Sequence, residues 1–502
     1  MPRAVSTRRM QNRIAGVLVL SCLVGNFAVF ASPWLEQGDS ALRHDLQMLA
    51  DQGIFNTPIT TWPIPLDDIA DTLEKGVDET GLTPGQRAAL RRIEWRLREA
   101  AEAVRYRVGI SAGTDPVLAR SFQSVPREEA GLEGSGEWNG ETFSARLRLG
   151  VVANPDDDED LRADNSYAAG RLGNWLFSVN TLDRWWGPAW GGGLILSNNA
   201  RPFPAVVVER IKAESFDFPL LSWLGPWRLQ VMAGQLEEDR YIPDTQVFAM
   251  RAAFKPTRKL EIGLSRAAQW CGEGRPCDLA TFDRMLRGDD NRRFAVDEPT
   301  SVEPGNQLAG FDARWVSPLA DGPYAIYGEF IGEDQSGGFP SRYIGQVGME
   351  LWGDWGQHGK SYRLLVEFAD TASEGFYSED PRYNYAYNHG IYKSGYRYYA
   401  RPIGYTLDND SRIVSIGGLW FNEDGSQWRL WFRKADLNRD DAGVNTVSPI
   451  ARDYLNVELG HTRAALGGEL MLGTGIDHLK PVDDTLDADT EIRVYAQWTR
   501  KF

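Results

Sequence analysis

From about Val104 to the C-terminus, apolar and polar side chains take turns along run after run of the chain. Phe143, Ala145, Leu147, Leu149 and Val151 alternate with Ser144, Arg146, Arg148 and Gly150. Trp227, Leu229, Val231 and Ala233 do the same with Arg228, Gln230, Met232 and Gly234, as do Trp428, Leu430 and Phe432 with Arg429, Trp431 and Arg433. A period of two places alternate residues on opposite faces of a β-strand. A soluble sandwich shows the same pattern, so length and flanks separate the cases. Many runs are nine to eleven residues long, the length a tilted strand needs to cross a bilayer. Aromatic residues recur near the run ends, where a membrane barrel sets its interfacial girdle. The polar face carries full charges (Arg146, Arg228, Glu329, Glu350, Arg363, Glu367, Arg429, Glu458, Arg493), which suits a water-filled lumen.

The last run ends the chain. Ile492, Val494, Ala496, Trp498 and Phe502 share one face against Arg493, Tyr495, Gln497 and Thr499, and a terminal aromatic of this kind resembles the C-terminal signature of outer-membrane barrel proteins. Arg500 falls on the apolar face, a position tolerable only near the interface. Connections alternate in length. They are long at 476–490, 436–451, 370–410 and 269–307, medium at 332–342, and short at 461–465, 422–425, 353–359, 316–321 and 255–258. Short periplasmic turns and long external loops are the habit of such barrels. With a hairpin at Gly173-Asn174, the count reaches about eighteen antiparallel strands over 104–502.

The first thirty-one residues have the charge and hydropathy order of a secretory signal peptide. Arg3, Arg8, Arg9 and Arg13 precede the apolar run Ile14–Phe30, and Val29-Phe30-Ala31 offers small residues for cleavage before Ser32. An uncleaved anchor and a lipoprotein at Cys22 are the alternatives, and Val19-Leu20-Ser21-Cys22 is an imperfect lipobox. Between 32 and 103 the period is helical. Asp39-Ser40 caps a helix to about Asp51, a second covers Leu66–Lys75, and Thr83-Pro84 opens a third with Ala89, Ile93, Leu97 and Ala101 on one stripe. These segments suggest a small periplasmic bundle or plug. Cleavage leaves only Cys271 and Cys277, and an exported setting favours a disulfide between them over two free thiols.

The net charge of −16, about −20 without the leader, speaks against a nucleic-acid binder running on a basic field. Against that acidity, 377–405 holds nine of the eighteen tyrosines with Arg382, Lys393, Arg397, Arg401 and His389. Tyrosine gives a flat ring with a hydroxyl at low entropic cost, and arginine gives bidentate contacts to carboxylates. The candidates for an acidic glycan are therefore Tyr385, Tyr387, His389, Tyr392, Arg397, Tyr398 and Arg401, with loop packing as the competing use. A second group, Arg184, Trp185, Trp186, Asn198, Asn199 and Arg201, mixes stacking rings with donors, against girdle packing. Catalytic signals are poor: Gly109-Ile-Ser111-Ala-Gly113 matches G-x-S-x-G but lacks the following helix of a nucleophile elbow. Five scattered histidines have no metal spacing, and the acidic stretches 156–160, 436–441 and 483–489 read as solvated loops rather than calcium sites. No metal and no cofactor is expected.

Several long stretches carry a family resemblance. They are Ser32-Pro-Trp-Leu-Glu36 through Thr61-Trp-Pro63, Asp183-Arg-Trp-Trp-Gly-Pro188, Ser197-Asn-Asn-Ala-Arg-Pro202, Leu264-Ser-Arg-Ala-Ala-Gln-Trp270, Gly288-Asp-Asp-Asn291 and the tyrosine-rich run into Gly404-Tyr405. In these the chain resembles the Wzi family of outer-membrane capsule assembly proteins. The resemblance implies an eighteen-stranded barrel, blocked rather than open, with a helical bundle on the periplasmic side. It also implies a lectin-like role without catalysis: binding exported capsular polysaccharide and helping attach it to the cell surface. The expected partners are an acidic capsular polysaccharide or exopolysaccharide, outer-membrane lipid and the export machinery, with the chain a monomer. A porin or carbohydrate-selective channel is the alternative, since this many strands enclose an aqueous passage. A hydrolase resting on Ser111 is the other.

Overall fold

The computed structural model describes residues 32–287, 305–336, 339–356 and 358–502. The proposed leader, including Cys22, and the Gly288–Asn291 motif lie outside the described residues. We number the barrel strands alone. They are β1 Val104–Gly113, β2 Ala130–Asn139, β3 Phe143–Ala153, β4 Leu161–Arg162 with Tyr167–Leu172, β5 Trp175–Asn180 and β6 Ala205–Arg210. Next come β7 Trp227–Gln235, β8 Gln246–Thr257, β9 Leu260–Trp270, β10 Gly305–Val316, β11 Tyr324–Ser336 and β12 Phe339–Asp354. The last are β13 Ser361–Asp370, β14 Arg412–Phe421, β15 Gln427–Leu437, β16 Arg452–Ala465, β17 Gly468–Pro481 and β18 Asp489–Lys501.

Each strand pairs antiparallel with its sequence neighbours, and β18 closes on β1 from Tyr495–Gly113 to Lys501–Arg107, giving a closed barrel of 18 strands. The fourth position is interrupted, both pieces pairing with β3. The strands run further than the sequence pattern suggests at two connections. The expected loop 476–490 shrinks to 482–488, and 332–342 is a strand pair carried to Ser336 and Phe339. Elsewhere the parity holds: the short connections β8–β9, β10–β11, β12–β13, β14–β15 and β16–β17 leave the strands at one end of the barrel, and the long connections β9–β10, β13–β14 and β15–β16 leave them at the other. We call these the short-turn and long-loop ends.

The alternation sorts as its chemistry requires. Leu132, Leu147, Leu149, Val151, Val179, Val206, Ile492 and Val494 face outward and exposed, while the nine charged residues singled out above are all buried inward. A closed sheet with no free edge and an apolar outer belt is what hydrocarbon demands of a strand-built span. Tyr106, Trp138, Phe143, Trp315, Trp428 and Phe502 stand outward at the short-turn ends of their strands. The Arg500 guanidinium lies 4.7 Å from the centre of the terminal Phe502 ring. No described helix is long and apolar enough to cross a membrane.

The interior departs from a wet lumen. Of the three helices α1 Ser40–Asp51, α2 Leu66–Glu74 and α3 Pro84–Ala100, the first and third start where capping predicts: Asp39 accepts from the Leu42 amide, and Thr83 with Gln86 forms a capping box. The segment carrying them enters the barrel instead of standing outside it. Leu46, Leu49, Ala89 and Ile93 pack in one core with Trp352, Leu365, Leu419 and Phe421 of the wall. Charged side chains bind the two together. Arg314 on β10 holds Asp51 of α1 through two bonds of 2.6 and 2.8 Å and also reaches Glu350 on β12, which accepts from Arg363 at 2.6 Å. Arg228 reaches Asp68 of α2 at 2.7 Å, and Glu261 accepts from the Ile59 and Thr60 amides. Arg92 of α3 grips Asp45 of α1 at 2.6 and 2.9 Å. The buried charges of the strands thus meet opposite charges and amides, as burial requires.

Candidate functional site

At the long-loop end, two connections turn inward and close the barrel. Residues 181–204 and 371–411 interlock through hydrogen bonds onto each other's backbone carbonyls. The Ser197 amide donates to Ile403 (3.0 Å), the Ser197 hydroxyl to Gly404 (2.6 Å) and the Asn199 amide group to Pro402 (3.0 Å). The approach is close enough that a Cβ on Gly404 would sit 2.4 Å from the Leu194 carbonyl oxygen.

Most of the residues expected to meet a ligand are consumed here. Tyr387 is buried, its hydroxyl donating to Leu194 at 2.6 Å and accepting from the Tyr405 amide. Tyr392 is buried and donates to the Cys271 carbonyl at 3.1 Å. Arg397 forms a fork with Asp408 at 2.9 and 2.8 Å, deep in the loop. Trp185 and Trp186 are buried, donating to Ala189 and Gln230, and Asn198 and Asn199 bond backbone carbonyls. Arg184 is spent on Leu182 and Asn180. These side chains hold the closure in place; the girdle reading of the tryptophans fails because both rings point into the barrel. The tyrosine-rich run is therefore mostly the fabric of the closure, and its ligand-facing part is smaller than the sequence suggests. Cys271 and Cys277 are bridged by a disulfide.

Four candidates remain within reach of solvent: Tyr385, His389, Arg201 and Arg401. The Tyr385 hydroxyl accepts from Arg342, whose guanidinium also stacks 4.8 Å from the ring centre. Burial, helped by the Arg275 charge, pushes His389 down to about 4, so its ring is neutral at physiological pH and offers no cation.

Arg201 and Arg401 border a cleft at the long-loop end with Arg120, Arg127, Arg162, Asn199, Tyr398, Tyr399 and the carboxylates Glu128, Asp156 and Asp157. A tight turn supplies one wall. Arg397-Tyr398 pairs with Arg401-Pro402 across Tyr399 and Ala400, both in the left-handed region (φ 47 and 58). Neither is glycine, and strain of this kind persists where the surroundings enforce it, often beside a binding site. Tyr399 lies 5.5 Å beneath the Arg201 guanidinium, which forks onto Asp164 (3.1 and 3.0 Å) and reaches Asp157. Arg401 bonds Asp156 at 2.6 Å and Arg127 bonds Asp183 at 2.7 Å. Arg120 differs: it donates only to the Val125 and Pro126 carbonyls and has no ion-pair partner among the described residues. Burial, with Arg127 and Arg401 nearby, pushes it down to about 9 against the opposing pull of Glu128 and Asp183. The cleft holds about 30 Å³, room for a single small group such as a carboxylate.

Sequence reading passed over Tyr399, Arg120, Asp157 and Asp164. The signal for the acids was the 156–160 stretch, taken as solvated, whose Asp157 in fact clamps Arg162 and Arg201. Ser111 lies near the end of β1, the third residue from its last position counting Gly113, facing Gln497 and Gly131 in a continuous ladder, without the sharp turn that would expose a nucleophile.

Comparison with known proteins follows the same lines. The family model described as capsule assembly protein Wzi matches residues 106–490. A Klebsiella pneumoniae protein, described as an uncharacterized 55.8 kDa protein in the cps region, is 30% identical over 454 residues, 89% of this chain and 86% of its own. Among solved structures, Wzi of Escherichia coli is described as an outer membrane protein involved in group 1 capsule assembly and a carbohydrate binding β-barrel. It superposes with a TM-score of 0.80 at 26% identity, covering 93% of this chain and 99% of that one.

Proposed function

The chain belongs to the capsule assembly protein Wzi family, and on that premise we propose that it binds exported capsular polysaccharide or exopolysaccharide and assists its attachment at the cell surface. It is an outer-membrane β-barrel. In this reading the long-loop end faces outward, the helical segment faces the periplasm, and lipid surrounds the apolar belt of a monomer. The export machinery would meet the short-turn end. The role is that of a lectin, without a catalytic step.

One observation carries the ligand chemistry. Of the five arginines that border the outer cleft, four are ion-paired with carboxylates and Arg120 has no ion pair among the described residues. A uronic acid supplies what is missing: a planar carboxylate for guanidinium groups and a ring face for Tyr399. The filled lumen favours this binding role over the channel.

The test uses whole cells deleted for the protein and complemented with variants. Arg401→Ala/Tyr399→Ala changes two side chains that solvent reaches, leaving the Arg397–Asp408 fork intact. Retention of added acidic polysaccharide should fall about tenfold, the loss of one good charge-assisted contact, with surface expression unchanged. Retention equal to wild type would remove this cleft from the binding role.

A further inference from the structure

Along one side of the barrel the helical segment stands away from the wall, leaving an internal cavity of about 1220 Å³ between it and strands β1–β3 and β16–β18. That volume exceeds the usual small-ligand pocket. The cavity includes the short-turn mouth, where the Trp95 indole of α3 is 56% exposed.

Its wall is almost neutralised pair by pair: Arg105 with Glu137, Arg148 with Glu133 and Arg146 with Glu36. Arg107, on the same inward face of β1 as Arg105, is the exception. It has no ion pair or hydrogen bond among the described residues, and its Nε is buried and unpartnered. Two amide oxygens share this condition. Gln37 Oε1 and Gln427 Oε1 line the same cavity unpartnered on residues 8% and 3% exposed. Buried polar groups in folded proteins have partners, so a guanidinium and two carboxamide oxygens left without them on one cavity, beside the equally unpartnered Glu133 Oε1, describe what belongs there. An unpaired guanidinium asks for a carboxylate. Carboxamide oxygens ask for hydroxyl donors, which an inorganic anion does not bring. An exposed indole at the entrance offers a stacking face to a sugar ring.

We propose that this cavity is a second glycan site, taking a short uronic-acid-containing segment from the short-turn side, with Trp95 at the entrance and Arg107 on the carboxylate. The outer cleft opens at the other end and has Arg120, Arg201 and Arg401 to itself, while Arg127, Glu128 and Arg162 border both spaces; Arg107 and Trp95 belong to the inner one alone. It gives the barrel a site for nascent chain on the side opposite the one that holds finished polymer.

The experiment is equilibrium binding of labelled trigalacturonate to the full chain in detergent micelles, with maltotriose as the neutral control. Heat-modifiable electrophoretic mobility reports that each variant is folded. Wild type should bind two equivalents and bind maltotriose at least tenfold more weakly. Arg107→Gln and, separately, Trp95→Ala should each weaken one class of site about tenfold and leave whole-cell polysaccharide retention unchanged. Arg401→Ala/Tyr399→Ala should weaken the other class alone. Folded Arg107→Gln and Trp95→Ala proteins that keep wild-type stoichiometry and affinity, or equal binding of maltotriose, would overturn the second site. Because retention on cells reads the outer cleft and the micelle titration reads both, failure of one proposal is distinguishable from failure of the other.

Discussion

Asp410 shows what a single buried acid does in the closure. Its Oδ2 accepts from the Asn384 amide and the Asn409 side chain, both at 2.7 Å, and its Oδ1 has no partner. Burial, with Asp440 nearby, raises it from 3.8 to about 6 despite those bonds and Arg439. The folded loop therefore holds a proton between these two values that the opened loop has released. Stability rises with pH only where the unfolded state binds more protons; here the folded state binds more. The closure is thus tightest below pH 4 and loosens as pH rises through about 6. Hydrogen exchange over 384–410, corrected for intrinsic rates, should show protection falling from pH 5 to pH 8. Asp410→Asn should flatten that slope; an unchanged slope would assign it to another group.

At the scale of elements, the turn at Tyr399-Ala400 carries strain that the rest of 371–411 holds in place. Ala400 is exposed with φ 58, where an alanine costs about 1 kcal/mol relative to glycine. Ala400→Gly should raise the thermal midpoint of the barrel slightly while leaving glycan retention near wild type, and a fall in the midpoint would contradict this account. Strands and helices were legible because their information is local. Thr83-Pro84 and Asp39-Ser40 state a helix start within four residues, and Arg493 between Ile492 and Val494 states which way a strand faces. The tyrosine run was half legible. Composition marks Tyr387 and Tyr385 alike, yet the carbonyl that fixes Tyr387 belongs to Leu194, 193 residues away. Whether a ring points to solvent or into a barrel depends on what fills that barrel, and no local pattern records it. The same distance hid Arg120, a lone arginine whose importance lies in the carboxylate it does not have.

For the molecule as a whole, the lumen is divided between the helical segment at the short-turn end and the two inward loops at the other. Reconstituted in planar bilayers, the full chain should give no steady conductance, because the interlocked loops at 181–204 and 371–411 close one end and the helical segment packs against the wall at the other. Replacing 376–403 with a short Gly-Ser linker should produce measurable currents; large steady currents from the unaltered chain would restore the channel reading. Wall and contents of such a barrel complete each other. Without residues 51–60, Arg314 would lose Asp51 and keep only Glu350, and Glu261 would lose the Ile59 and Thr60 amides it accepts from, so sealing water out of the lumen before they arrive would leave charge poorly matched. The helical segment is therefore expected to settle inside the curling sheet before its seam closes, where β18 meets β1 from Tyr495–Gly113 to Lys501–Arg107. Long sequence separations of this kind make for slow maturation, so the nascent protein depends on being kept from aggregation until its final strand is delivered.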